Sequence, residues 1–246
     1  MNATSITQSV QKLKSNILQH VHHRALLQNV GQPTLQEEQL FFIQLPFLNG
    51  APMTDEHQIS AVTVGIVHAS LTEHEKVKEV EATSKEQQLL VLSGDYYSGR
   101  YYQLLAQTGN IFLIHKLSEG IVKRCEHQIR IYEEQKRSLE QWIESLMTIE
   151  SELIAQYYDV YGFTAYTGLM QQTLTYIRLK KELDLLSKGE PSFLNKAFSA
   201  DLTMMDSIIE AFWDHLYDME RQLRENLRNI DLTDELKHSI EQYITF

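Results

Sequence analysis

Cysteine is almost missing: Cys125 is the only one in 246 residues. An intramolecular disulfide is therefore excluded, and a reducing compartment is implied. Proline occurs four times and glycine ten times, so few breaks interrupt the chain and long elements are expected. Positive charge is scarce as well. Lys and Arg number 22 against 33 Asp and Glu, for a formal charge of -11. Nucleic-acid binding depends on clustered cations that neutralise phosphates, and this balance argues against it. Long apolar runs are missing too. The most apolar stretch, Ala61 to Leu71, is interrupted by His68 and falls short of the roughly 20 residues that a membrane span requires. Met1 to Gln11 lacks the charged and apolar regions of a signal peptide. A cytoplasmic protein with no membrane span is the expectation. Zinc, Walker, Ser-His-Asp and Cys-His spacings are also missing.

What is present is helical periodicity nearly throughout. Ile6, Val10, Leu13, Ile17 and Val21 recur at steps of three and four, one face of a helix that Gly31 and Pro33 should stop. Thr34-x-x-Glu37 has the form of a capping box for the next helix. Leu45 to Met53, with two prolines and Gly50, predicts a turn. From Thr54 to Ser70 the β-branched residues favour a strand, whereas the length and the Thr54-Asp55-Glu56 start favour a buried helix; the helix is preferred. The charged stretch Leu71 to Ser84 predicts a loop or a frayed end. Thr83-x-x-Glu86 offers a cap for a helix ending near Gln107, before Gly109-Asn110.

The second half is equally regular. Ile111, Ile114, Ser118, Ile121, Cys125, Ile129 and Tyr132 form one stripe, which implies that Cys125 is a buried structural thiol. Ser138-x-x-Gln141 offers a cap that divides this helix from the next, where Leu139, Ile143, Leu146, Glu150 and Leu153 keep the spacing. Tyr157, Tyr158 and Tyr161 are expected in the core near Gly162. A helix over Tyr166 to Leu186 closes at Lys188-Gly189-Glu190-Pro191. Leu202, Met205, Ile209, Phe212, Leu216, Met219, Leu223 and Leu227 alternate three and four almost strictly; such a seam serves a bundle core or a partner helix. Leu236, Ile240 and Tyr243 mark a short last helix. The fold class expected is all-α, with residues 1–246 as a single helical-bundle domain.

Chemistry is thinly represented. Glu210, Asp214 and Asp218 share a helix face beside His215, the pattern of a divalent-cation site or, more simply, of a solvated acidic face. Glu235-x-x-His238 is a single motif where a di-iron bundle needs two. His20, His22 and His23 read as exposed helix histidines or as a surface metal site.

One segment stands apart: Leu92-Ser93-Gly94-Asp95-Tyr96-Tyr97-Ser98-Gly99-Arg100-Tyr101-Tyr102. A Gly-Asp is followed by two tyrosine pairs within one helix. It resembles the Gly-Asp-aromatic segment of the trans-prenyl diphosphate synthases, and the resemblance implies their all-helical isoprenoid-synthase fold. Those enzymes carry two Asp-Asp-x-x-Asp clusters, whose carboxylates bind Mg2+ and through it the diphosphate leaving group. This chain contains no Asp-Asp dipeptide. By the resemblance, the first cluster falls on Thr72-Glu73-His74-Glu75-Lys76. The diphosphate-binding Lys-Thr falls on Glu150-Ser151, and the second cluster on Lys180-Lys181-Glu182-Leu183-Asp184, with lysines at two ligand positions.

With Leu117-Ser118-Glu119-Gly120-Ile121, the tyrosine helix is similar to component 1, the small non-catalytic subunit family of heteromeric heptaprenyl diphosphate synthases. The resemblance implies no catalytic residue, metal or cofactor on this chain, and Mg2+ on an aspartate-rich catalytic partner, component 2. It implies a prenyl chain at a tunnel shared by both subunits, and a product (hepta- or hexaprenyl diphosphate) made from farnesyl and isopentenyl diphosphates for the menaquinone side chain. It places the partner contact on roughly Ser84 to Gln107 and Asn110 to Tyr132, which makes Gly94, Asp95, Tyr96, Tyr97, Tyr101, Tyr102, Leu105, Phe112 and Leu117 candidates for the interface or the tunnel. Tyrosines over more than one helix face suit both core and interface. Asp95 serves either a partner contact or an internal bond. Surface reserved for a partner also allows the isolated chain to homodimerise. Two other functions are open on the sequence: a stand-alone isoprenoid enzyme using Glu73, Glu75 and Asp184, or a helical adaptor using the Leu202 to Leu227 seam.

Overall fold

A computed structural model describes residues 3–78, 83–133, 137–198 and 205–244. All regular structure among them is helical: α1 Ala3–His20, α2 Arg24–Val30, α3 Glu37–Leu48, α4 Asp55–Glu75, α5 Lys85–Thr108, α6 Ile111–Ile129, α7 Leu139–Tyr161, α8 Thr167–Ser187, α9 Phe193–Phe198, α10 Met205–Asn229 and α11 Asp234–Tyr243. The chain divides into two compact units, one of Met1–Ser118 with Asp159–Gly162 and one of Glu119–Tyr158 with Phe163–Phe246.

The first unit is organised by α4. Every residue from Ser60 to Ser70 is buried, so the helix is covered on all sides, as a helix without a polar face must be. α1, α3 and α5 pack against it. Thr54 starts it with a reciprocal cap: its hydroxyl accepts the His57 amide at 3.2 Å, and His57 Nδ1 accepts the Thr54 amide at 3.2 Å. Gln39 to Leu48 of α3 are likewise all buried. At one end of the unit the Tyr161 hydroxyl lies 2.7 Å from Ser60 Oγ, accepts from Asn110 Nδ2 at 2.9 Å and donates to Glu56 at 3.0 Å. Asn110 also receives the Leu113 amide at 3.0 Å and so caps α6.

In the second unit α8 is the shared wall for α9, α10 and α11. Much of the α10 seam is core: Phe212, Leu216, Leu223 and Leu227 are buried, and Ile209 and Met219 are half-buried. Leu202 lies outside the described residues. Tyr157 and Tyr158 are fully buried and meet Phe163 beyond the turn at Gly162; Tyr161 is only half-buried, because its hydroxyl serves the polar cluster at Ser60.

Several boundaries differ from the sequence expectation, each for a local reason. The first helix stops at His20, and His23 begins a separate one by accepting the Leu26 amide on Nδ1, a role usually filled by Ser, Thr, Asp or Asn. The capping box at Thr34 does not form. Gln36 is the cap residue of α3, Glu37 turns instead to Lys14 at 2.9 Å, and the Thr34 amide donates to Glu73. Helix α3 runs through Pro46 to Leu48 before the turn; burial of Phe47 and Leu48 outweighs the one backbone bond that proline removes. Helix α4 extends to Glu75, past the expected loop start at Leu71, because Glu73 is buried and bound to Lys76. Ser84, one residue beyond the expected Thr83, caps α5. Ser138 and Gln141 do form the expected reciprocal cap of α7. Helix α9, six residues long, is too short to leave a period in the sequence.

Burial in the second unit generates a pH dependence. His127 is buried, and its Nδ1 lies 2.8 Å from Arg130 Nη1 and 3.2 Å from Ser145 Oγ. An arginine donor at that distance requires the lone pair on Nδ1. Burial first, then Arg130, holds the imidazole below its ordinary value near 6.5, with Arg137 acting the same way against Glu144 and Glu126. The unfolded chain therefore takes the proton first. Stability should be greatest above about pH 6.5 and fall as the pH drops below it. Urea midpoints measured between about pH 7.5 and 5 should show this slope, and His127→Gln should flatten it.

Candidate functional site

The sequence motif Gly94-Asp95 lies where α5 packs against the last turns of α4. A Cβ on Gly94 would stand 2.5 Å from His74 Nε2 and 2.6 Å from its Cε1, so only glycine lets the imidazole lie over the helix. Asp95 Oδ1 is 3.5 Å from His74 Nε2 across that gap. One turn back on α4, Ser70 Oγ donates to the Gly94 carbonyl at 2.8 Å and lies 2.8 Å from Ser98 Oγ. The motif is thus a helix-packing device: glycine for approach, aspartate for the ring above it.

The tyrosine helix divides its side chains between two duties. Tyr97 is buried, and its phenol is pushed up to about 12 by burial and then by the nearby Glu73 carboxylate. Leu105 and Leu117 are also core residues. Tyr96 is half-buried and meets His23 edge-on at 5.3 Å. Tyr101 is half-buried, with its phenol raised by burial and by Tyr102. Tyr102 and Phe112 are exposed, and Lys116 Nζ lies 5.8 Å over the Phe112 ring. Of the nine candidate positions, Gly94, Tyr97, Leu105 and Leu117 are interior, and Asp95, Tyr102 and Phe112 are at the surface.

The exposed apolar residues continue along α6. Ile111 is 68% exposed, Phe112 60%, Val122 54%, Ile129 56% and, just past the helix, Tyr132 65%. Ile111, His115, Ser118, Val122, Cys125, Ile129 and Tyr132 recur at steps of four and three, and all are exposed. The expectation that Cys125 is buried is therefore corrected. The buried side of α6 is carried by Leu113, Leu117, Gly120, Arg124 and His127, a stripe that sequence reasoning overlooked because two of its members are charged or titratable. On α5, Leu92 and Tyr102 are exposed in the same way, each 56%. Isolated exposed apolar side chains are ordinary; here several recur along a single helix.

The positions that the resemblance assigns to metal and diphosphate hold neutralised carboxylates. In the first unit Glu73 is 1% exposed, and its Oε1 accepts from Lys76 Nζ at 2.6 Å and from the Thr34 amide at 3.3 Å. Glu75 is exposed. In the second unit Glu150 accepts from Arg178 Nη1 at 2.6 Å, and Glu182 Oε1 accepts from Arg178 Nε at 2.8 Å. Lys181 and Asp184 point outward. Mg2+ needs several free hard oxygens with room for water. A lysine or arginine already within bonding distance of each buried carboxylate is a donor set that does not fit it. Among the described residues no three His, Cys, Asp or Glu side chains gather as a metal site, and the acidic row of α10 puts Asp218 against Arg221 at 2.8 Å. Among the same residues no helix is long and apolar enough to cross a membrane.

This helical arrangement is that of the isoprenyl diphosphate synthases. Geranylgeranyl pyrophosphate synthase from Corynebacterium glutamicum, solved with calcium and isoprenyl diphosphate, superposes with a TM-score of 0.72 over 99% of this chain and 95% of that one, at 14% identity. Heptaprenyl diphosphate synthase from Staphylococcus aureus gives 0.65 over 97% and 98%, at 12% identity. Within that class the assignment is specific. The profile of heptaprenyl diphosphate synthase subunit 1 matches residues 23–231, and the chain belongs to that family. Heptaprenyl diphosphate synthase component 1 of Geobacillus stearothermophilus is 33% identical over 129 residues, which make up 50% of this chain and 58% of that protein. The chain thus matches somewhat more than half the length of that relative.

The role of Gly94 gives a direct test. Gly94→Ala should lower stability by at most about 1 kcal/mol: the part-exposed His74 ring must swing aside, and the better helix propensity of alanine offsets part of that strain. Adding His74→Ala should recover most of that loss. Thermal or urea unfolding of the two single variants and the double variant measures it.

Proposed function

We propose that this chain is the non-catalytic subunit of a heteromeric prenyl diphosphate synthase. Its partner is the aspartate-rich subunit, which carries Mg2+ and both substrate diphosphates and extends farnesyl diphosphate with isopentenyl diphosphate. The product is heptaprenyl or hexaprenyl diphosphate, destined for the menaquinone side chain, and this chain helps set its length. The whole of 1–246 acts as one prenyl-synthase-like domain, in keeping with solved chains that align over nearly all of it.

The observation that carries the proposal is the exposed apolar row of α6. Five large side chains between Ile111 and Tyr132 stand in water at a cost that only a partner relieves. Aromatic and aliphatic side chains of this kind are the anchors on which interfaces depend. The occupied state of Glu73, Glu150 and Glu182 supports the other half of the proposal, that the chemistry resides on the partner. A stand-alone enzyme using Glu73, Glu75 and Asp184 has little support, since Glu73 is committed to Lys76 and the other two face outward. An adaptor working through the α10 seam has little support, since Phe212, Leu216, Leu223 and Leu227 of that seam are buried.

Charge placed in the row should break the complex without unfolding the chain. Ile129→Asp should weaken capture of the aspartate-rich subunit by about 30-fold or more, the effect of losing one central anchor. The melting temperature of the isolated chain should hold, because Ile129 packs mainly against solvent. Capture undiminished in Ile129→Asp and in Val122→Asp would place the interface elsewhere.

A further inference from the structure

The misfit between these carboxylates and Mg2+ has a structural counterpart. Glu73 and Glu182 are the buried carboxylates among the described residues, and they are built alike. Each sits on a long helix and binds one cation close by in sequence: Lys76, just past the end of α4 and three residues on from Glu73, and Arg178, on α8 and four residues before Glu182. Each also accepts a backbone N–H from a segment outside that helix. Glu73 takes the Thr34 amide from the stretch that leads into α3. Glu182 Oε2 takes the Leu194 amide at 2.9 Å, in the first turn of α9. That amide has no partner within its own short helix, and Arg178 reaches onward from it to Glu150 on α7.

We propose that Glu73 and Glu182 are internal latches, each fastening a neighbouring segment to its helix with an internal cation in the place of a metal. This rests on the reading of the chain as a non-catalytic subunit only for the comparison with metal positions; the latch geometry stands by itself. An unpaired buried carboxylate is not sustained in a protein interior. Lys76 and Arg178 therefore make the carboxylates tolerable. Glu182 in turn satisfies the buried Leu194 amide, which the fold would otherwise strand, and Glu73 ties the exposed Thr34 segment to α4. Beyond Leu194, the Glu182 latch sets Phe193 against Trp142 at 5.8 Å, so one carboxylate fixes the aromatic packing of α9. A divalent ion entering either site would have to displace a lysine or arginine and leave that cation buried or expelled.

Amide hydrogen exchange on the full chain tests this residue by residue. In the wild type the Thr34 and Leu194 amides should both exchange slowly, and millimolar Mg2+ should change neither their rates nor the melting temperature. Glu182→Gln should speed exchange at Leu194 by about tenfold or more and leave Thr34 unchanged; Glu73→Gln should do the reverse. Lys76→Met and Arg178→Met keep the carboxylates and remove the cations. These variants should melt lower than the wild type, and Mg2+ should not restore them. Restoration by Mg2+, a Mg2+-dependent rise in the wild-type melting temperature, or amide rates indifferent to both glutamine substitutions would overturn the proposal. The docking reading fails separately, through capture by the α6 face, which none of these four substitutions touches.

Discussion

A helix that is buried on every side dictates the first unit. Ser60 to Ser70 of α4 offer water no polar face, so the helix must be surrounded, and α1, α3 and α5 do so. The cover supplied by α5 depends on one missing side chain, at Gly94, where the His74 ring occupies the space that a Cβ would take. Once α5 is held there by Ser70 and Asp95, its orientation is fixed. Leu90, Tyr97 and Leu105 are committed to the core, and Leu92 and Tyr102 are left facing out. Which side chains of α5 stay exposed is therefore a consequence of how the core is closed.

Electrostatics follows the same economy. An acidic chain with only two buried glutamates among its described residues has given each a cation of its own. A carboxylate at such depth needs a nearby positive charge to balance it, whether a bound metal or a side-chain cation. Here the balance is internal and permanent. Such pairs contribute little net stability over an apolar replacement, but breaking one is costly; their value lies in fixing which segment lies where.

Much of this was legible in the sequence. The stripes through Ile6 to Val21 and Phe212 to Leu227 gave their helices, since three-and-four spacing has no other economical explanation. The Gly-Asp-Tyr-Tyr segment identified the fold. Other features were hidden, for physical reasons. The His23 cap uses a residue rarely chosen for that task. Pro46 inside α3 is decided by burial of its neighbours, which no local pattern reports. Cys125 looked buried because the α6 stripe is apolar, and apolarity does not distinguish a core from an interface. The inner face of α6 went unrecognised because Arg124 and His127 lie on it, and long polar side chains bury their stems. The fate of Glu73 and Glu182 depends on Thr34 and Leu194, contacts 39 and 12 residues away in sequence.

The central claim is that this chain completes an active site it does not contain. The measurement that tests it most directly is prenyl-chain synthesis from farnesyl and isopentenyl diphosphates with Mg2+, run on this chain, on its aspartate-rich partner, and on the two together. Long-chain product from the mixture, and none from this chain by itself, is the predicted result. Magnesium-dependent product from this chain without a partner would contradict it.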